Sequence, residues 1–164
     1  MPANTTFTSG AILTAAQMNN LPWGIVDATA GGTSGRGYVT RTSGNYSMTT
    51  SFADVTGLTI TFTPVTGRLY KASFSAWLAN VATNQDLSVR ITDGSNNFIQ
   101  GIQTYLVSGN NAPAAFHTIL TGLSGSTTLK VRAKAATASG ALVVASSGSE
   151  GAAVFSIEDI GPST

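Results

Sequence analysis

Leu58, Ile60 and Phe62 alternate with Thr59, Thr61 and Thr63, and the same two-residue period returns through most of the chain after Tyr38. A chain with that period puts one row of side chains on a core and the other in solvent only as a β-strand. Arg68–Val81 carries Tyr70, Ala72, Phe74, Ala76 and Leu78 on one face, with Lys71, Ser73, Ser75 and Trp77 on the other. Leu87, Val89 and Ile91 alternate with Ser88, Arg90 and Thr92, and DGSNN (Asp93–Asn97) then reads as a tight turn into Phe98–Val107. SGNNAP (Ser108–Pro113) is a second turn, leading to Phe116–Leu120, and LSGST (Leu123–Thr127) leads to Leu129, Val131 and Ala133. Two last runs, Ala141–Ala145 and Ala152–Ile160, close the chain. About eight strands separated by turn signals predict an all-β fold, a jelly-roll-like antiparallel β-sandwich.

The first 37 residues do not follow this period. Thr14 and Gln17 form a capping box, Ala15, Ala16, Gln17 and Met18 favour helix, and Pro22 limits it, which predicts one or two turns. An isolated helix needs about 12–15 residues in water. The apolar side chains Phe7, Ile12, Leu13, Met18, Leu21 and Trp23 therefore need a surface to bury against, either their own β-domain or a neighbouring chain. ATAGGTSGRG (Ala28–Gly37) reads as a glycine-rich tether giving reach with little order. The expected organisation is an anchor segment with a short helix (1–27), a tether (28–37) and a β-sandwich (38–164).

Composition excludes several functions. Charged residues make up 9 % of the chain, and 8 Lys plus Arg against 7 Asp plus Glu give a net charge of +1, too little for nucleic acid as the main partner. Lys130, Arg132 and Lys134 alternate on one strand and read as a solvated strand face. There is no cysteine, so neither a disulfide framework nor a thiolate metal site exists. No apolar run approaches the ~20 residues of a membrane span, so no membrane insertion is expected. No basic residue precedes Arg36 and Ala11–Ala16 is short and polar for a signal core, so the mature chain is expected to begin at or near Met1. The near-neutral Thr/Ser/Ala/Gly-rich surface suits strands packed against copies of themselves, and a homotrimer is expected.

Residues with chemical potential are scattered. Gly35-Arg36-Gly37-Tyr38 lacks the Gly-Lys-Ser/Thr of a phosphate loop. His117 is the single histidine, on the strand face opposite Phe116, Thr118 and Leu120, and reads as a surface or interface side chain. No G-x-S-x-G context appears. Glu158 and Asp159 are neighbours on a strand and point to opposite faces, so they cannot act on one substrate atom as acid and base. Asp93-Gly94-Ser95-Asn96-Asn97 lacks the acidic density of a calcium loop. No catalytic residue, no metal and no cofactor is expected.

Three stretches together carry a resemblance. FTSGAILTAAQMNNLPWGIV (Phe7–Val26) resembles the N-terminal phrase of small structural proteins of tailed bacteriophages, particularly phages of actinobacteria. VTGLTITFTPVTGRLYKASFSAWL (Val55–Leu78) resembles their first long strand pair, and FSIEDIGP (Phe155–Pro162) their closing strand. The resemblance implies a non-enzymatic minor tail or head decoration protein on the outer surface of a virion, often trimeric. Phe7, Ile12, Leu13, Met18, Leu21 and Trp23 would then dock on a major capsid or tail protein. A second reading is a lectin-like tip of a tail fibre binding a host surface glycan, with Tyr38, Tyr46, Trp77 and Tyr105 as stacking platform. An esterase or glycosidase is a distant third.

Overall fold

The computed structural model describes residues 24–81, 83–137, 140–143 and 151–163. Their strands, all paired antiparallel, are β1 (Gly24–Ile25), β2 (Ala28–Ala30), β3 (Tyr38–Arg41), β4 (Tyr46–Ser47), β5 (Ala53–Phe62), β6 (Arg68–Asn80), β7 (Gln85–Asp93), β8 (Phe98–Leu106), β9 (Asn111–Leu120), β10 (Thr127–Ala135), β11 (Gly140–Val143) and β12 (Ala153–Pro162). One sheet runs β2-β5-β10-β7-β8. In the other, β6 is central: β9 flanks one side, β12 and β11 follow each other along the other, and β1, β3 and β4 pair outside those two. The fold is an all-β sandwich of two sheets, and no helix occurs among the described residues. The predicted helix around Thr14–Met18 and all six docking residues, Phe7, Ile12, Leu13, Met18, Leu21 and Trp23, lie outside the described residues.

The two-residue period explains the core. Leu58, Ile60 and Phe62 of β5, Leu87, Val89 and Ile91 of β7 and Leu129, Val131 and Ala133 of β10 are buried from one sheet. Tyr70, Ala72, Phe74, Ala76 and Leu78 of β6 and Phe155 and Ile157 of β12 meet them from the other. Phe62 and Tyr70 join the layers edge to face, with ring centres 5.3 Å apart. Strand β9 starts earlier than its turn signal suggests, at Asn111, and carries Pro113 inside it. Its ladder partner is β6 alone, so the missing N–H of proline falls at a sheet edge.

Residues 28–37, expected to be a flexible tether, are folded onto the sandwich. Ala28 and Ala30 pair with Phe62 and Thr61 of β5. The Ala28 N–H donates to Gly35 O at 2.8 Å, Gly37 N–H to Val26 O at 2.6 Å and Ile157 N–H to Gly37 O at 2.8 Å. Gly31 has φ +81°, and a Cβ on it would stand 2.1 Å from the Thr59 carbonyl oxygen. Glycine here permits close backbone approach and a left-handed turn rather than slack. Residues 24–30 therefore belong to the sandwich and bind both sheets, β1 to β12 and β2 to β5.

The Asp93–Asn97 stretch is the turn the sequence predicts. The Asp93 carboxylate accepts from Ser95 N at 2.9 Å, Asn97 N at 2.8 Å and Asn97 Nδ2 at 2.7 Å. The Asn97 side chain first, then the Asn97 and Ser95 amides, hold its pKa below the ordinary aspartate value. The carboxylate's contribution to the turn is complete above the unfolded-state pKa and is lost only as pH falls through the lower folded one. An NMR carboxyl titration should place Asp93 below the ordinary aspartate value; an ordinary value would contradict the turn geometry.

Candidate functional site

The outer face of the β2-β5-β10-β7-β8 sheet collects the polar rows of its strands. β10 and β7 pair with Lys134 opposite Ser88, Arg132 opposite Arg90 and Lys130 opposite Thr92. Across β8 the same rows continue as Gln103 beside Ser88, Gly101 beside Arg90 and Phe98 beside Thr92. Phe98 shares this face because the ladder slips between Ile91 and Thr92, giving β8 one extra residue. On the other side, β5 advances five residues, from Thr59 to Asp54, while β10 advances two. That irregularity sets Asp54 against Arg132 and brings Phe52 over the cations.

The electrostatics are lopsided. Four of the chain's 8 basic residues, Arg90, Lys130, Arg132 and Lys134, stand on this face. Asp54 pairs with two of them, 3.1 Å from Lys130 Nζ and 2.8 Å from Arg132 Nε, and Arg132 Nη2 donates to Phe52 O at 2.6 Å. Lys130 also donates to Asn96 Oδ1 at 2.7 Å. Arg90 lies over the Phe52 ring, 3.6 Å from its centre, and Lys134 Nζ lies 5.0 Å from the same centre. Among the described residues no carboxylate is ion-paired with Arg90 or Lys134. Among them, too, Arg90 Nε is buried without a hydrogen-bond partner. Burial, and then the charge of Arg132, pull the Arg90 pKa below the ordinary guanidinium value. Asp86 lies on the same face, one row beyond Ser88 and opposite Tyr105.

Phe52, Ser88, Arg90, Phe98, Gly101, Gln103 and Lys134 line a shallow groove of about 270 Å3. Gly101 in its lining lies close against β7, where a Cβ would meet Val89 O at 2.6 Å and Arg90 Cβ at 2.8 Å. Ser88 Oγ donates to Gln103 Oε1 at 3.5 Å at one end. Phe98, 62 % exposed, stands at the other.

The four aromatics proposed for glycan stacking are not brought together. Tyr46 packs against the core from β4, and burial, then the Asp54 charge, raise its hydroxyl pKa. Tyr38 pairs opposite Ser156 on β3, and Trp77 lies on the outer face of β6 opposite Pro113. Tyr105 is exposed on β8, in the other sheet. Of the Lys130–Lys134 row in the sequence reading, Lys130 and Arg132 are partly desolvated and ion-paired rather than on a solvated face, their side chains 14 % and 16 % exposed. Arg90 and Phe52 escape the sequence reading. The polar row Ser88-Arg90-Thr92 is visible in it, but its place beside Lys130–Lys134 depends on the β7–β10 register, and Phe52 depends on the β5 irregularity. Glu158 and Asp159 do point to opposite faces: Glu158 Oε2 meets Lys71 Nζ at 2.8 Å outside, and Asp159 meets Arg68 inside.

No protein-family model and no curated protein matches the chain. Among solved structures it has a weak likeness to the enzymatically active domain of tailspike protein 4 of bacteriophage CBA120, with 13 % identity and a TM-score of 0.28. That comparison covers 75 % of this chain, which spans 19 % of the tailspike chain.

Proposed function

We propose that the chain is a non-catalytic structural protein of a tailed-phage virion, a head decoration or minor tail component. In this reading its N-terminal segment attaches to a major capsid or tail protein, and the sandwich is displayed outward as a homotrimer. The observation that carries the reading is the pairing of β1 with β12. The N-terminal phrase of the phage resemblance ends in Gly24–Val26, and its closing phrase is Phe155–Pro162. Gly24 pairs with Asp159, Ile25 with Glu158, and Val26 N–H donates to Ile157 O at 3.1 Å. Gly24–Val26 of the first phrase thus pair directly with the closing phrase, far along the chain.

The trimer is supported by the outer face of β6 and its neighbours. Thr40, Val154, Ser75 and Ala115 form one cross-strand row, and Tyr38, Ser156, Ser73 and His117 the next. Ser73, Ser75, Ala115 and Ser156 in these rows are small enough to allow close approach of a second sheet face, and Ile119 beside them is 47 % exposed. A chain truncated to start at Gly24, so that β1 is retained, is the test. It should fold, sediment at three times the monomer mass, and be absent from assembled particles. Monomeric sedimentation at micromolar concentration contradicts the trimer. Incorporation at normal copy number, or failure of the truncated chain to fold, contradicts the anchor.

A further inference from the structure

We propose that the groove between Phe52, Arg90, Lys134 and Gln103 binds an acidic saccharide, its carboxylate held by Arg90 and Lys134 and its ring laid over Gly101 against Phe98. The inference concerns the isolated chain and stands or falls separately from the virion reading.

The first support is missing counter-charge. Four cations share a face where, among the described residues, Asp54 is the one ion-paired carboxylate, and that carboxylate is taken by Lys130 and Arg132. Arg90 and Lys134 are left on one aromatic ring. The other strand-borne pairs, Arg68–Asp159 and Lys71–Glu158, match one cation to one carboxylate. Crowding like charges costs stability; the Phe52 ring offsets part of it, and a bound anion would offset more.

The second support is preorganisation. The Phe52 ring holds the Arg90 guanidinium carbon 3.6 Å from its centre, so less rotamer entropy is lost when that fork meets a carboxylate. The third is the shape of the remaining groove. Gly101 leaves its stretch of the lining without a side chain, Ser88 and Gln103 supply hydroxyl and amide groups suited to sugar hydroxyls, and exposed Phe98 offers an apolar face to ring C–H groups. A polynucleotide fits less well. Two uncommitted cations can neutralise about two phosphates, and salt-resistant binding of a polyanion needs several more.

The full-length chain is titrated with a short oligogalacturonate, with neutral dextran of similar length, with a glycerol-phosphate oligomer and with oligothymidylate. The expected result is saturable binding of the galacturonate, weakened by added salt, with little or no binding of dextran. Arg90→Gln combined with Lys134→Gln should weaken it by about tenfold or more, whereas Lys71→Gln on the opposite face should leave it within about twofold. Amide shifts of the unsubstituted chain give a readout that does not depend on the variants folding, and should concentrate on Phe52, Ser88, Gly101 and Gln103. Tighter binding of the glycerol-phosphate oligomer overturns the carboxylate assignment. Tighter binding of oligothymidylate, equal binding of dextran, shifts centred elsewhere or no saturable galacturonate binding overturns the site.

Discussion

Ile157→Asp is expected to leave the chain unfolded or to lower Tm by roughly 10–20 °C. Ile157 is fully buried on β12 opposite Ala72, between the layers, and its backbone N–H and C=O hold Gly37 and Val26 in place. The substitution removes about 1.5–3 kcal/mol of apolar burial and forces a carboxylate into the same space. The charge adds several kcal/mol, or the group protonates at comparable cost. The sum, about 5 kcal/mol, is a large part of the 5–15 kcal/mol typical of a whole domain. Ile157→Val keeps the shape and should cost about 1 kcal/mol. Circular dichroism melts of the two variants decide it: if the Ile157→Asp variant melted within a degree or two of the parent, the placement of β12 would be contradicted.

Asp159→Ala should be nearly as damaging, for a different reason. Arg68 Nε and Nη2 donate to the two Asp159 oxygens at 2.5 and 2.6 Å, and the residues are 5 % and 2 % exposed. The same carboxylate accepts from Gly161 N–H at 3.0 Å, where the β6–β12 register slips. Removing it leaves a buried guanidinium without its carboxylate, which costs about 3–5 kcal/mol. Replacing both partners, Arg68→Met with Asp159→Leu, should recover most of that loss, because neither charge then has to be desolvated. Urea midpoints of the single and double variants measure the difference. Equal destabilisation by both would show that the pair matters through its shape and not its charge.

Legibility differs from element to element. On β6 the alternation of Tyr70, Ala72, Phe74, Ala76 and Leu78 with Lys71, Ser73, Ser75 and Trp77 determines both faces, since a strand has no other way to arrange that row. The same holds for Asp93, whose side chain closes its own turn within four residues. The spacer misleads because glycine for close packing and glycine for freedom look alike in a sequence; only the Thr59 carbonyl pressed against Gly31 tells them apart. The groove is half legible. Lys130, Arg132 and Lys134 share a face by strand period alone, but Arg90, Gly101 and Phe98 join them through pairing partners that no local pattern encodes. The four aromatics Tyr38, Tyr46, Trp77 and Tyr105 are dispersed for the same reason, since spacing along the chain says nothing of which sheet or face a strand places them on.

Cryo-microscopy of intact particles produced from the genome encoding this chain tests the central claim most directly. The account predicts three-fold density matching the sandwich on the outer surface of head or tail, with the β1–β12 edge turned toward the particle. Fully assembled particles that carry no such density, and no copies of the chain, would contradict it.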